Sequence, residues 1–111
     1  MAENCEKILI VEDEEAISDV IALNLKSEGY SIGKAMDGKR GYEMAVSGEY
    51  DLVLLDLMLP EMDGFEVCRK VRAESRVPII VVSAREDEAD KVEALESGAD
   101  DYITKPFGMR E

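Results

Sequence analysis

The chain has 111 residues, enough for one domain around a single core and too few for a catalytic domain beside a separate output domain. Thirteen basic against 26 acidic residues give a formal charge of −13, which argues against direct binding to nucleic acid or to an anionic membrane surface and leaves proteins as partners. There is no histidine, so His-based metal sites and Ser-His or Cys-His nucleophiles are excluded, and any phosphohistidine must belong to a partner.

The start, Met1-Ala2-Glu3-Asn4-Cys5-Glu6-Lys7, lacks a cationic segment followed by an apolar one, and no apolar run approaches the roughly 20 residues that span a bilayer. A cytoplasmic chain is expected, with Cys5 and Cys68 as free thiols and Cys68 in the core.

In chain order, Ile8-Leu9-Ile10-Val11 predicts a strand, and Ile17, Val20, Ile21 and Leu25 then recur at helical spacing within a helix near 14–28 that Gly29 terminates. Tyr30 to Met36 mixes polar and apolar positions, as an edge strand does. A helix is predicted near 38–48, a strand at Leu52-Val53-Leu54-Leu55, and a helix near 64–75. Ile79-Ile80-Val81-Val82 follows, then a helix near 87–97 carrying Val92 and Leu95, and the short strand Asp101-Tyr102-Ile103-Thr104. Unbroken apolar tetrads alternating with amphipathic stretches indicate parallel strands covered on both faces. The predicted fold is α/β, a five-stranded parallel sheet in the flavodoxin-like order 2-1-3-4-5, which puts the two weak strands outside.

In such sheets the ligand site lies beyond the carboxyl ends of the strands. Those ends carry Glu12 and Asp13, Asp56, Ser83 and Lys105. Singly, each has an ordinary reading: acids near a helix start, a strand-ending turn, a helix-entry serine, a solvated lysine. Jointly, three carboxylates on one rim repel one another unless a cation sits between them, and an all-oxygen set suits Mg²⁺, with Mn²⁺ able to substitute. Asp56 is central and is the expected acceptor of a covalent phosphoryl group; Asp13 is expected to bind the metal directly and Glu12 through water.

The stretches Ile-Leu-Ile-Val-Glu12-Asp13, Leu-Val-Leu-Leu-Asp56-Leu-Met-Leu-Pro60-Glu-Met-Asp-Gly64, Val-Val-Ser83-Ala84 and Gly98-Ala-Asp-Asp-Tyr102-Ile-Thr-Lys105-Pro106-Phe107 resemble response-regulator receiver domains over the whole length. The resemblance implies a two-component switch that catalyses its own phosphorylation and dephosphorylation, taking the phosphoryl group from a sensor histidine kinase onto Asp56. It further implies that Asp13, Asp56 and the Met58 backbone carbonyl bind Mg²⁺, and that Lys105 and Ser83 contact the phosphoryl oxygens. A cis Lys105-Pro106 bond and a Ser83 and Tyr102 switch are implied as well. The last stretch is most similar to the OmpR/PhoB subfamily, whose receivers precede a winged-helix DNA-binding domain and dimerise through the fourth helix, fifth strand and fifth helix. The matching interface residues are Lys91, Glu96, Asp100, Asp101 and Glu111; each is also an ordinary surface charge.

Residues 1–111 are thus expected to be a receiver domain truncated in its fifth helix, with the output domain absent, because the residues from Phe107 to Glu111 cannot complete a helix. Apolar side chains of strands one, three, four or five should then be uncovered, and the chain should self-associate. Two other readings are weighed. A haloacid-dehalogenase-like phosphohydrolase needs a second acid two residues after its nucleophile, where this chain has Met58; a pure interaction module leaves the charged rim unexplained.

Overall fold

The structure is a computed structural model that describes residues 6–57, 59, 63–83 and 88–104. Expectations for Met58, Lys105, the Lys105-Pro106 bond and Glu111 lie outside the described residues. The elements run β1 (Lys7–Val11), α1 (Glu15–Ser27), β2 (Ser31–Ala35), α2 (Gly38–Ala45), β3 (Leu52–Asp56), α3 (Gly64–Glu74), β4 (Ile79–Ser83), α4 (Glu88–Glu96) and β5 (Asp101–Thr104). All strand pairs are parallel, in the order β2-β1-β3-β4-β5 that the apolar pattern predicts.

Side chains alternate across each strand, so the apolar tetrads feed two layers. Leu9, Val11, Val53, Leu55, Ile79 and Val81 point to one face, where they meet Ala45 of α2, Val67, Cys68 and Val71 of α3, and Ala94 of α4. All of these strand residues are at most 1% exposed, so the centre of the core sits here. The Cys68 thiol is fully buried in this layer, and burial pushes its pKa up to about 12, so it stays protonated at neutral pH and acts as packing.

On the other face Ile10 packs against Ile21 and Ala22 of α1. Here the sheet is less covered: Leu52, Leu54, Ile80 and Ile103 are half-buried. No described helix is long and apolar enough to cross a membrane.

Local signals set the helix ends. Gly29, at φ 100, lets the chain turn out of α1 while the Gly29 and Tyr30 N–H groups donate to the Lys26 and Leu25 carbonyls at 3.0 and 3.2 Å. Asp37 caps α2 by accepting from the Arg40 N–H at 2.8 Å. That helix ends at Ala45, three residues before the expected 48. The Ser47 hydroxyl donates to the Met44 carbonyl at 2.6 Å and Gly48 adopts φ 86, which together turn the chain away early.

Arg72, on the last turn of α3, ties the far end of the sheet together. Its guanidinium donates to the Gly98 carbonyl from Nε and Nη2 at 3.1 and 2.8 Å, to the Ser75 and Val77 carbonyls from Nη1 at 3.1 and 2.9 Å, and to Asp100 Oδ2 at 3.0 Å. All five N–H donors are thereby used. Asp100 Oδ2 also accepts from the Ile79 N–H at 2.8 Å, so one ion pair joins α3, the start of β4 and the turn between α4 and β5.

A buried hydroxyl is left over among the described residues. Ser18 of α1 is fully buried, and its hydroxyl has no hydrogen-bond partner among the described residues. An unmet buried hydroxyl costs about 1–3 kcal/mol, and alanine is also the better helix former. Ser18→Ala is therefore expected to raise stability by about 1 kcal/mol, read as a higher urea midpoint with unchanged m-value.

Candidate functional site

The parallel register brings the rim together. Val11 of β1 lies beside Leu55 of β3, so the next residues, Glu12 and Asp56, end neighbouring strands at the same level. Asp56 is in register with Val82, which places Ser83 at the end of β4 one step further. The direction of the strands, rather than any local motif, thus delivers these groups to one edge.

Carboxylate oxygens of Glu12, Asp13 and Asp56 lie within 4.8 Å of one another, the one such acidic group among the described residues. Glu12 and Asp56 are 3% and 7% exposed, whereas Asp13 is exposed. Glu12 Oε2 accepts from the Glu14 N–H at 3.3 Å, which holds it beside the start of α1. Two buried carboxylates with a third at the mouth form a hard-oxygen set open to solvent on one side, and such a set fits a divalent ion that relieves their repulsion. Ser83 is fully buried at the end of β4.

The other proposed switch residue, Tyr102, and the described interface residues fall elsewhere. Tyr102 is half-buried and packs on the core layer shared with α3 and α4. Lys91 is half-buried on α4, and Glu96 is exposed. Asp101 is exposed, with its carboxylate accepting the Tyr102 N–H at 2.8 Å, while Asp100 is engaged by Arg72 inside the chain. An open groove of about 550 Å³ between α3 and α4 is lined by Arg69, Ala89, Val92, Glu93, Glu96 and Ser97. No rim carboxylate lines it.

A sequence profile for the response regulator receiver domain matches residues 8–111. The chain belongs to that family. Solved structures agree with this receiver domain over nearly its whole length. The receiver domain of a sensor histidine kinase from Pseudomonas aeruginosa PAO1, with a magnesium ion coordinated in its active-site cleft, is 37% identical with a TM-score of 0.85, over 93% of this chain and 87% of that one. The BeF3-activated N-terminal receiver domain of Klebsiella pneumoniae RstA is 33% identical with a TM-score of 0.89, over 95% and 90%. A CheY-like receiver domain protein from Methanospirillum hungatei JF-1 is 33% identical with a TM-score of 0.87, over 96% and 86%.

Two features of this receiver domain beside the rim were given no role by sequence reasoning. Asp63 caps α3, its carboxylate accepting from the Glu66 N–H at 2.9 Å, and Gly64 donates its N–H to the Leu57 carbonyl at 3.0 Å. The spacing Asp63-x-x-Glu66 is a recognisable helix-start signal; the close approach at Gly64 leaves no local trace beyond the glycine itself.

Proposed function

We propose that this domain is the phosphoacceptor switch of a two-component system, taking a phosphoryl group from the phosphohistidine of a sensor kinase onto Asp56. The observation that carries this reading is the buried Asp56 carboxylate converging with Glu12 and Asp13 at the carboxyl rim of a receiver fold. Asp13, Asp56 and the Met58 carbonyl hold Mg²⁺, or Mn²⁺ in its place, with Glu12 acting through water. When bound, the ion neutralises charge on the transferring group. An Asp56 oxygen attacks phosphorus in line, the phosphorus–nitrogen bond breaks, and its electron pair returns to the kinase imidazole. Lys105 and the Ser83 hydroxyl contact the phosphoryl oxygens, so catalysis is chiefly positioning and electrostatics.

Once modified, Ser83 draws toward the phosphoryl group and Tyr102 turns inward, changing the face that partners read. The domain works in the cytoplasm, and in a full-length protein of the OmpR/PhoB type it controls transcription. The similarity to RstA favours that subfamily. Dimerisation then uses the α4 and β5 face with Lys91, Glu96, Asp100, Asp101 and Glu111.

The test is incubation with acetyl phosphate and Mg²⁺ followed by intact mass. A persistent adduct supports the switch; turnover without adduct indicates a phosphohydrolase, and no change indicates an interaction module. Metal dependence has its own check. Asp13→Ala removes one hard-oxygen ligand and is expected to weaken Mg²⁺ binding about 10-fold or more, measured by calorimetric titration. Wild-type affinity in that variant contradicts the ligand assignment.

A further inference from the structure

We propose that Gly64 is a positioning residue for the chemistry at Asp56, an inference that rests on the phosphoacceptor reading and adds the part of the fold that aims the acceptor. A Cβ at position 64 would lie 2.6 Å from the Leu57 Cα and 2.8 Å from the Asp56 carbonyl oxygen. Both are backbone atoms, so the clash cannot be relieved by a rotamer change. The absence of a side chain lets the first residue of α3 press directly on the peptide that joins Asp56 to Leu57. The hydrogen bond from the Gly64 N–H to the Leu57 carbonyl locks that contact at 3.0 Å.

The acceptor peptide is therefore held from two sides. β3 pairing fixes it from below, with Asp56 in register with Val82. From the α3 side it is fixed by Gly64, whose own place is set by the Asp63 cap on the Glu66 N–H. Adding one methyl group must push the helix start and the Asp56-Leu57 peptide apart. Such a shift redirects the Asp56 carboxylate away from Glu12 and Asp13, and a metal site tolerates misplacement of a ligand poorly.

The experiment compares the wild type with Gly64→Ala and Gly33→Ala. The second change also adds a methyl group to a crowded glycine, against the Tyr50 ring, but at a position in β2 that takes no part in the site. Each protein is titrated with MgCl₂ while the backbone amide signals of Glu12, Asp13 and Asp56 are followed, then treated with acetyl phosphate, and its melting temperature is recorded. Gly64→Ala is expected to lose about 10-fold or more in Mg²⁺ affinity and to label slowly, while Gly33→Ala keeps wild-type affinity although it also melts lower. Wild-type Mg²⁺ affinity in folded Gly64→Ala overturns the positioning role alone; a wild type that binds no Mg²⁺ overturns the functional reading and this inference together. Should Gly64→Ala fail to fold, Asp63→Ala decides the matter. It loosens the same helix start without adding atoms, and it is expected to weaken Mg²⁺ binding; unchanged affinity there overturns the proposal.

Discussion

Asp56→Asn is expected to stay at its unmodified mass after incubation with acetyl phosphate and Mg²⁺, under conditions that convert the wild type to a covalent adduct. The substitution keeps the shape of a side chain that is only 7% exposed, so packing at the end of β3 is preserved. It removes the anionic oxygen that attacks phosphorus in the proposed transfer. It also removes one carboxylate from the acidic cluster, so loss of metal has to be separated from loss of the nucleophile. Asp13→Ala provides the comparison. That variant keeps Asp56 and is expected to regain the adduct when Mg²⁺ is raised, whereas Asp56→Asn stays unmodified at any Mg²⁺ concentration. An adduct at wild-type yield in Asp56→Asn would place the acceptor on another residue and sink the assignment.

Arg72→Ala is expected to cause the largest loss of stability among single surface-accessible positions, about 2–4 kcal/mol in urea unfolding, from five hydrogen bonds worth roughly 0.5–1.5 kcal/mol each before water replaces some of them. The discount for water matters because the Arg72 side chain is 28% exposed and that of Asp100 57%. For the same reason the ion pair itself contributes little. A double-mutant cycle with Asp100→Ala should return a coupling of about 1 kcal/mol or less. Most of the loss comes instead from the Ser75, Val77 and Gly98 carbonyls, which lose a planar fork that reaches all three. Arg72→Lys should recover only a minority of the stability, since an ammonium cannot span those acceptors. A loss below about 0.5 kcal/mol in Arg72→Ala would show that the clamp is incidental.

The strands, their order and the identity of the rim were legible without coordinates. Ile8–Val11, Leu52–Leu55 and Ile79–Val82 are unbroken apolar runs because both faces of a parallel sheet are covered, and that burial is written residue by residue. Once the strands run the same way, Glu12, Asp13, Asp56 and Ser83 must end on the same edge, so the site follows from topology. Tertiary structure decided which of these groups are buried: Glu12 and Asp56 lie inside and Asp13 at the mouth, although Glu12 and Asp13 are adjacent and equally charged. It also decided that Asp100, an interface match by resemblance, pairs within the chain with Arg72 while its side chain stays 57% exposed, and that Gly64 is pressed against the backbone of Asp56 and Leu57. Periodicity reports the environment of a residue relative to its own helix or strand. Arg72 and Gly98 are 26 positions apart, and no local pattern records which distant carbonyl a guanidinium will meet or how closely a helix will approach a strand. Those contacts arise only when the layers pack, where sub-ångström fit decides what is tolerated.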